Sequence, residues 1–477
     1  MKVFAIIWMK AKDHFSDRSK NSFKEKTMKH QIYERYPLGN KRFKWRQKDF
    51  VLSNFAAIGR VVDGDPKEVL DNNIRYLKET GFNMTELGWA CHEGAWAAVE
   101  ACEKYGLDLI FQDMTIMGGM QNHCIENKVS FDVPKKLVET LKPMKHTIGY
   151  YVWDEPHSEE QMAEARRQMD MLEELDPEAL LFTVGLPNYN NAGPEKKGYN
   201  WENGEYVPYI DRFIKTMDPP VLSFDYYPVG NYFNCWSGHR YNYDEQMDTT
   251  YMWLDLAAYR KKGLENGLPL WFYYQGCQLY KSEDPEMFIF PMVRVCMYGG
   301  ALYGAKGLQH YEACFRDDLA VCNPKGEKGR FFEDQKKIHA EFHALGNTLM
   351  ALESTLVYHS EDLLPGDKFM AEWCDKLSDS TLFSTLPSRT SVGEFKDAYG
   401  NKYIMVLNRD YLKPLKTSIP MNGSYRLYEV SKADGKQSVY AEATTALELD
   451  LAPGDAILLR VQNSADEAFT CEYKLAE

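Results

Sequence analysis

No C-x-x-C pair and no dense cysteine spacing occurs in the 477 residues; the 10 cysteines are scattered singly from Cys91 to Cys471. That excludes a zinc ribbon and a multi-bridge framework, leaving reduced core thiols and at most one bridge. No apolar run approaches the length of a membrane span. G-x-G-x-x-G is absent, so nothing points to a dinucleotide fold, and no cofactor is expected. Ser223 and Ser237 lack a G-x-S-x-G setting, which removes the serine-hydrolase reading. Positive charge is also short: the net charge of −14 argues against nucleic acid or an anionic membrane as the main partner. Met1 to Met9 has an apolar stretch but no small-residue cleavage site, so no signal peptide is recognised and a cytoplasmic location is the default expectation.

Hydrophobic content of 44% and charged content of 26% describe a soluble globular chain, long enough for two domains. Aromatics reach 14%, rings that stack on sugar C–H faces or pack a core. Residues 1–47 form a basic N-terminal arm; through residue 48 there are 14 Lys/Arg against 4 Asp/Glu. Three readings stay open for it: an ordered arm over the acidic body, a flexible tail, or a start assigned too far upstream.

Strand and helix signals then alternate eight times over residues 48–351. The strands read as Phe50 to Ala57, Asn83 to Leu87, Leu107 to Phe111, Thr147 to Trp153, Ala179 to Val184, Val221 to Tyr227, Leu268 to Tyr274 and Gly307 to Tyr311. They are short and apolar throughout, as in a parallel sheet covered on both faces. Eight repeats favour an α/β fold closed into a (β/α)₈ barrel. Residues 352–477 change texture: short β runs separated by Asn422-Gly423, Asp434-Gly435 and Pro453-Gly454 predict an antiparallel β-sandwich ending near Gln462, with a fraying tail.

The fourth strand ends Trp153-Asp154-Glu155-Pro156, where proline turns the chain and Ser158 caps the next helix. Catalytic groups of such barrels sit at the C-terminal strand tips. Those tips carry Glu86, Asp113, Asp154, Glu155, Asp225 and Glu312. Asn188, Gln275 and His310 lie among them, with Trp89, Trp153, Tyr226, Tyr227 and Tyr274. Carboxylates, amides and rings without Lys or Arg suit a carbohydrate. Cleaving a glycoside requires one protonated and one ionised carboxyl.

Trp153-Asp154-Glu155-Pro156 resembles the Asn-Glu-Pro signature of clan A glycoside hydrolases, (β/α)₈ retaining enzymes. The C-terminal β-domain with its Leu449 to Ala456 run is similar to those closing many glycosidases. The resemblance implies Glu155 as general acid/base, with Asp154 in place of an amide. It also implies a seventh-strand glutamate, where this chain has Gln275. Asp225 or Glu312 is then expected to supply the second carboxyl, in that order. The alternative is a sugar-binding protein without catalysis. A structural role for Glu86 and Glu312 would pair them with Arg294 or Lys306. The loops 114–133, 186–206 and 229–244 are expected to shape a pocket for small glycosides, with Trp201 among their subsite residues.

Weaker signals have plainer readings. His339 and His343 share a helix face at zinc spacing but are expected to be surface residues. Cys91 beside His92 reads as a buried thiol. A metal-dependent barrel hydrolase or isomerase is the third alternative.

Overall fold

The computed structural model describes residues 28–55, 64–87, 92–112, 130, 132–188, 199, 201, 204–229, 247, 250–278, 288–314, 320–363 and 372–477. Eight short strands form one parallel sheet: β2 (Val51–Phe55), β3 (Met84–Glu86), β4 (Asp108–Phe111), β5 (Thr147–Asp154), β6 (Leu180–Val184), β7 (Leu222–Tyr226), β8 (Leu270–Gln275) and β9 (Gly307–Tyr311). Their order, β6-β5-β4-β3-β2-β9-β8-β7, is that of a (β/α)₈ barrel. Among the described residues the remaining seam is closed by a bridge between Gly185 and Phe224. A Cβ on Gly185 would stand 2.5 Å from the Tyr259 hydroxyl, so glycine is needed there.

The helices of the outer layer are α1 (Pro66–Glu79), α2 (His92–Tyr105), α3 (Asp132–Leu141), α4 (Glu159–Leu175), α5 (Tyr206–Met217), α6 (Thr250–Asn266), α7 (Phe290–Leu302) and α8 (Phe332–Ala351). Their starts follow the capping signals. Asp65 accepts from the Lys67 N–H, and Ser158 accepts from the Gln161 N–H at 3.1 Å. Val69, Leu70, Ile74 and Leu77 of α1 and Met162, Ala165, Met169 and Leu172 of α4 are buried against the strands. Among the described residues no helix is long and apolar enough to cross a membrane.

Of the arm, the structure describes residues 28–47. β1 (Lys29–Arg35) pairs in parallel with β16 (Phe469–Leu475), so the C-terminal residues do not fray. Tyr33 stacks on Tyr473, and Arg35 donates to Asn347 Oδ1 at 2.8 Å. The chain then crosses the N-terminal end of the barrel. There Gln47, fully buried, accepts from Trp271 Nε1 at 2.9 Å and donates to the Lys306 carbonyl at 2.7 Å. The positive character of the arm thus accompanies a strap across the barrel floor. Crevices of about 740 and 910 Å³ lie along this strap, at the far end from the predicted site.

The C-terminal region is a six-stranded antiparallel sheet ordered β10-β11-β12-β15-β13-β14: β10 (Glu353–His359), β11 (Thr390–Lys396), β12 (Lys402–Asn408), β13 (Leu415–Val430), β14 (Gln437–Leu451) and β15 (Ala456–Asn463). Asp434-Gly435 and Pro453-Gly454 make the expected turns, their glycines at φ +71° and +67°. Asn422-Gly423 does not. It falls inside β13, where the register with β14 shifts between Pro420 and Tyr425. An irregular ladder bends a strand instead of ending it. The bend lets Ile419, Leu447 and Leu449 pack over Val406, Leu427 and Leu459, forming the sandwich core. The other face, with Tyr403, Met405 and Leu458, joins the core of the barrel helices.

Gln47→Ala leaves the Trp271 N–H without its partner in a dry site and the Lys306 carbonyl with the Val51 N–H alone. Thermal or urea unfolding should show a loss of about 1–3 kcal/mol, against under about 0.5 kcal/mol for the exposed Lys48→Ala.

Candidate active site at the barrel mouth

Along β5, alternation sends Tyr151 into the barrel with Phe55, Phe182 and Tyr273. The next residue, Val152, faces the helices, as does Trp153, because the register shifts between Tyr151 and Trp153. The bulge returns Asp154 to the inner face. That is why the Tyr151 hydroxyl reaches Asp154 Oδ1 at 2.9 Å across three residues.

Glu155 follows in the left-handed region at φ +49°, a conformation that costs a non-glycine residue free energy and clusters at functional sites. The tip around it is pinned. Tyr209 donates to the Pro156 carbonyl at 3.1 Å, Tyr199 to the His157 carbonyl at 2.7 Å, and the His157 N–H to Gln161 Oε1 at 2.8 Å.

Asp225 leaves the end of β7 on the inner face and is 5% exposed. Glu155, Tyr227 and Asp154 all lie close enough to its carboxyl to act on its proton affinity, while its Oδ1 has no hydrogen-bond partner among the described residues. Burial pushes the Asp225 carboxyl up to about 7, and the neighbouring Asp154 charge adds to this; the nearby Tyr227 and Glu155 side chains oppose it. Tyr227 is itself stacked on Tyr311 with centroids 4.3 Å apart.

Below this pair a polar chain crosses the barrel. Ser223 Oγ donates to Gln309 Oε1 at 2.8 Å, Gln309 Nε2 to Glu86 Oε1 at 2.7 Å, and Ser53 Oγ to the same oxygen at 2.7 Å. Glu86 is fully buried, and its other oxygen has no partner among the described residues. Burial lifts its carboxyl to about 8, against the two donors and with the help of the Asp154 charge. A neutral acid therefore floors the site near pH 7.

The structure thus brings together Glu155, Asp225, Asp154, Tyr227 and, beneath them, Glu86. Other expected members go elsewhere. Trp153, Tyr226, Tyr274 and His310 are buried on the helix side of the barrel. Tyr274 receives a hydrogen bond from Gln335 at 3.0 Å, and the His310 ring lies edge-on to Phe82 and Tyr274. Each occupies the strand position whose side chain points outward, a parity that tip composition alone does not reveal.

Gln275 faces inward, but its amide accepts from the Val229 N–H and donates to the Val229 and Cys277 carbonyls. It clamps the chain after β7. Asn188 is likewise structural: its N–H donates to Asp255 and its Oδ1 accepts from the Trp201 N–H. Trp201, expected in a subsite, donates its ring N–H to Asp255 at 2.8 Å and is buried. Glu312 is buried beside Cys277 and Cys314, with its N–H toward Cys277 Sγ at 3.4 Å. Trp89, Asp113, Cys91 and most of the three long loops lie outside the described residues.

The alternative pairings for the acids do not form. Arg294 bonds Asp455 at 2.5 Å, and Lys306 donates to the Leu349 and Leu352 carbonyls at the end of α8. His339 is buried instead of exposed, with Nδ1 at 2.9 Å from the Thr80 carbonyl, while His343 meets the Gly81 carbonyl at 2.6 Å. Both histidines close the turn after α1.

The sequence reading passed over Tyr151, Ser53, Gln309 and Asp255. Ser53 and Gln309 are polar residues within otherwise apolar strands, a signal available in the sequence. Asp255 sits within the apolar run of α6, where burial lifts it to about 8.

No protein-family model matches the chain, and no curated protein matches it. Solved structures similar to it include a GH27 β-L-arabinopyranosidase from Geobacillus stearothermophilus, at 10% identity and TM-score 0.47, covering 88% of this chain and 98% of that one. A GH51 arabinofuranosidase from Xanthomonas axonopodis pv. citri is similar at 10% identity and TM-score 0.44, covering 90% and 98%. An FMN-binding β-glucuronidase from Faecalibacterium prausnitzii L2-6 is similar at 12% identity and TM-score 0.39; it covers 90% of this chain, which spans 56% of that one. The likeness is one of fold.

Glu86→Gln tests the buried acid. Below its ordinary value of 4.5 the side chain is protonated whether the chain is folded or unfolded. Between there and about 8 only the unfolded chain ionises, so Glu86 destabilises the fold increasingly as pH rises. The amide keeps the shape of the neutral acid without that penalty. The stability gain of the variant over wild type should therefore grow from pH 5 to pH 8, by roughly 3–4 kcal/mol. A gain independent of pH would show that Glu86 is not held neutral.

Proposed function

We propose that this chain is a glycoside hydrolase of the two-carboxyl type, with Glu155 as proton donor and Asp225 as nucleophile. The observation that carries this is the placement of the Glu155 tip, in the left-handed conformation after β5, beside the buried Asp225 carboxyl on the inner face of β7. Two acids that close share one proton, since both cannot ionise side by side in a dry site. One proton and one negative charge are what glycoside cleavage needs.

Carboxyls that act on one another this closely favour the retaining route, with its separation of about 5–5.5 Å, over the roughly 6.5–9.5 Å that leaves room for an attacking water. Glu155 protonates the leaving oxygen while an Asp225 oxygen attacks the anomeric carbon. Water then hydrolyses the glycosyl ester with Glu155 as base. The Tyr227 hydroxyl steadies the charge on Asp225, and Tyr151 holds Asp154 for a sugar hydroxyl. The rings of Tyr227 and Tyr311 offer an apolar wall.

A second reading, sugar binding without cleavage, is favoured by one observation: the tip of the seventh barrel strand carries Gln275, already committed to backbone groups.

A panel of p-nitrophenyl glycosides separates the two. Glu155→Gln and Asp225→Asn should each lower kcat by about 10²–10⁴-fold, with binding by Glu155→Gln retained in a fluorescence titration. A 2-deoxy-2-fluoro glycoside of the cleaved sugar should label Asp225. Turnover unchanged in Glu155→Gln, or a label on another acid, would overturn the assignment. Binding without turnover in the wild type would establish the second reading.

A further inference from the structure

We infer that Cys314 and Cys322 are joined by a disulfide when the chain folds in the presence of a disulfide oxidant, stapling the segment that leaves the eighth barrel strand. Their sulfurs lie 2.7 Å apart. The backbone holds the two positions together independently of the thiols. The Cys322 N–H donates to the Ala313 carbonyl at 3.1 Å, the Gly329 N–H to the Val321 carbonyl at 2.8 Å, and Cys322 bridges Lys328. Both thiols are buried, at 3% and 0% exposure, so neither is offered to a partner outside the fold.

The chemistry balances as two successive exchanges. One cysteine thiolate attacks an oxidant R–S–S–R and releases one thiol. The second cysteine attacks the mixed disulfide and releases the other, so one R–S–S–R is consumed and two R–SH are formed. Burial drives the Cys314 thiol far from ionisation, which disfavours attack once the fold is complete. The bond therefore forms during folding and is then shielded from reductant. Its place matters because Tyr311, which stacks on Tyr227, and Glu312 immediately precede it. The inference does not depend on the glycosidase reading.

The test uses the full chain, refolded from denaturant with glutathione disulfide and alkylated before digestion. Trypsin cuts after Lys306, Arg316 and Lys325, so Cys314 and Cys322 fall in separate peptides, Gly307 to Arg316 and Asp317 to Lys325. The expected result is one cross-linked species, two hydrogens lighter than the pair, that separates on reduction. Recovery of both peptides alkylated or glutathionylated, or either linked to another cysteine, would overturn the inference. The cross-linked protein should also melt about 2–5 °C above its reduced form. That difference should vanish in Cys322→Ser; its persistence would also overturn the inference.

Discussion

Carboxyl groups withdrawn from water at the top of a closed barrel must keep a proton or find donors, and much of this molecule answers to that constraint. Glu86, Asp225 and Asp255 are all buried, and burial raises the proton affinity of each. Neighbouring polar groups oppose the shift in every case: Ser53 and Gln309 at Glu86, Tyr227 and Glu155 at Asp225, and Asn188, Trp201 and Tyr206 at Asp255. Removing water also strengthens each remaining charge–charge interaction, so Asp154 acts on both Glu86 and Asp225.

The same constraint explains why the site has layers. Asp255 sits outside the barrel and fixes the chain around Asn188 and Trp201. Ser223, Gln309, Glu86 and Ser53 span the interior and give the mouth a rigid, hydrogen-bonded floor. Above them Tyr151 fixes Asp154, and Tyr209 and Tyr199 fix the tip that carries Glu155. A few tyrosines do this positioning, their hydroxyls aimed at the Asp154 carboxyl and at the Pro156 and His157 carbonyls.

At the opposite end the arm plays a separate part. By crossing beneath Trp271 and pairing β1 with β16, it ties the strand at Lys29–Arg35 to the one at Phe469–Leu475 and runs across the barrel floor. Conserving the mouth for chemistry and the floor for stability is the usual division of labour in this fold.

The sequence by itself determined the barrel, because eight short apolar strands alternating with amphipathic helices have few other ways to bury both faces. It also determined which strand tips bear acids, since the acids end the apolar runs, and so placed Glu155 and Asp225 together in one mouth. Tertiary structure decided which tip residues face inward. Strand parity turned Tyr226, Tyr274 and His310 toward the helices. A one-residue bulge, invisible in composition, turned Trp153 out and brought Asp154 in. It also decided that Asn422-Gly423 bends a strand, that the polar C-terminus pairs instead of fraying, and that Gln275 holds backbone. Those outcomes depend on partners distant in sequence, and local pattern carries no record of a partner until the chain has closed upon it.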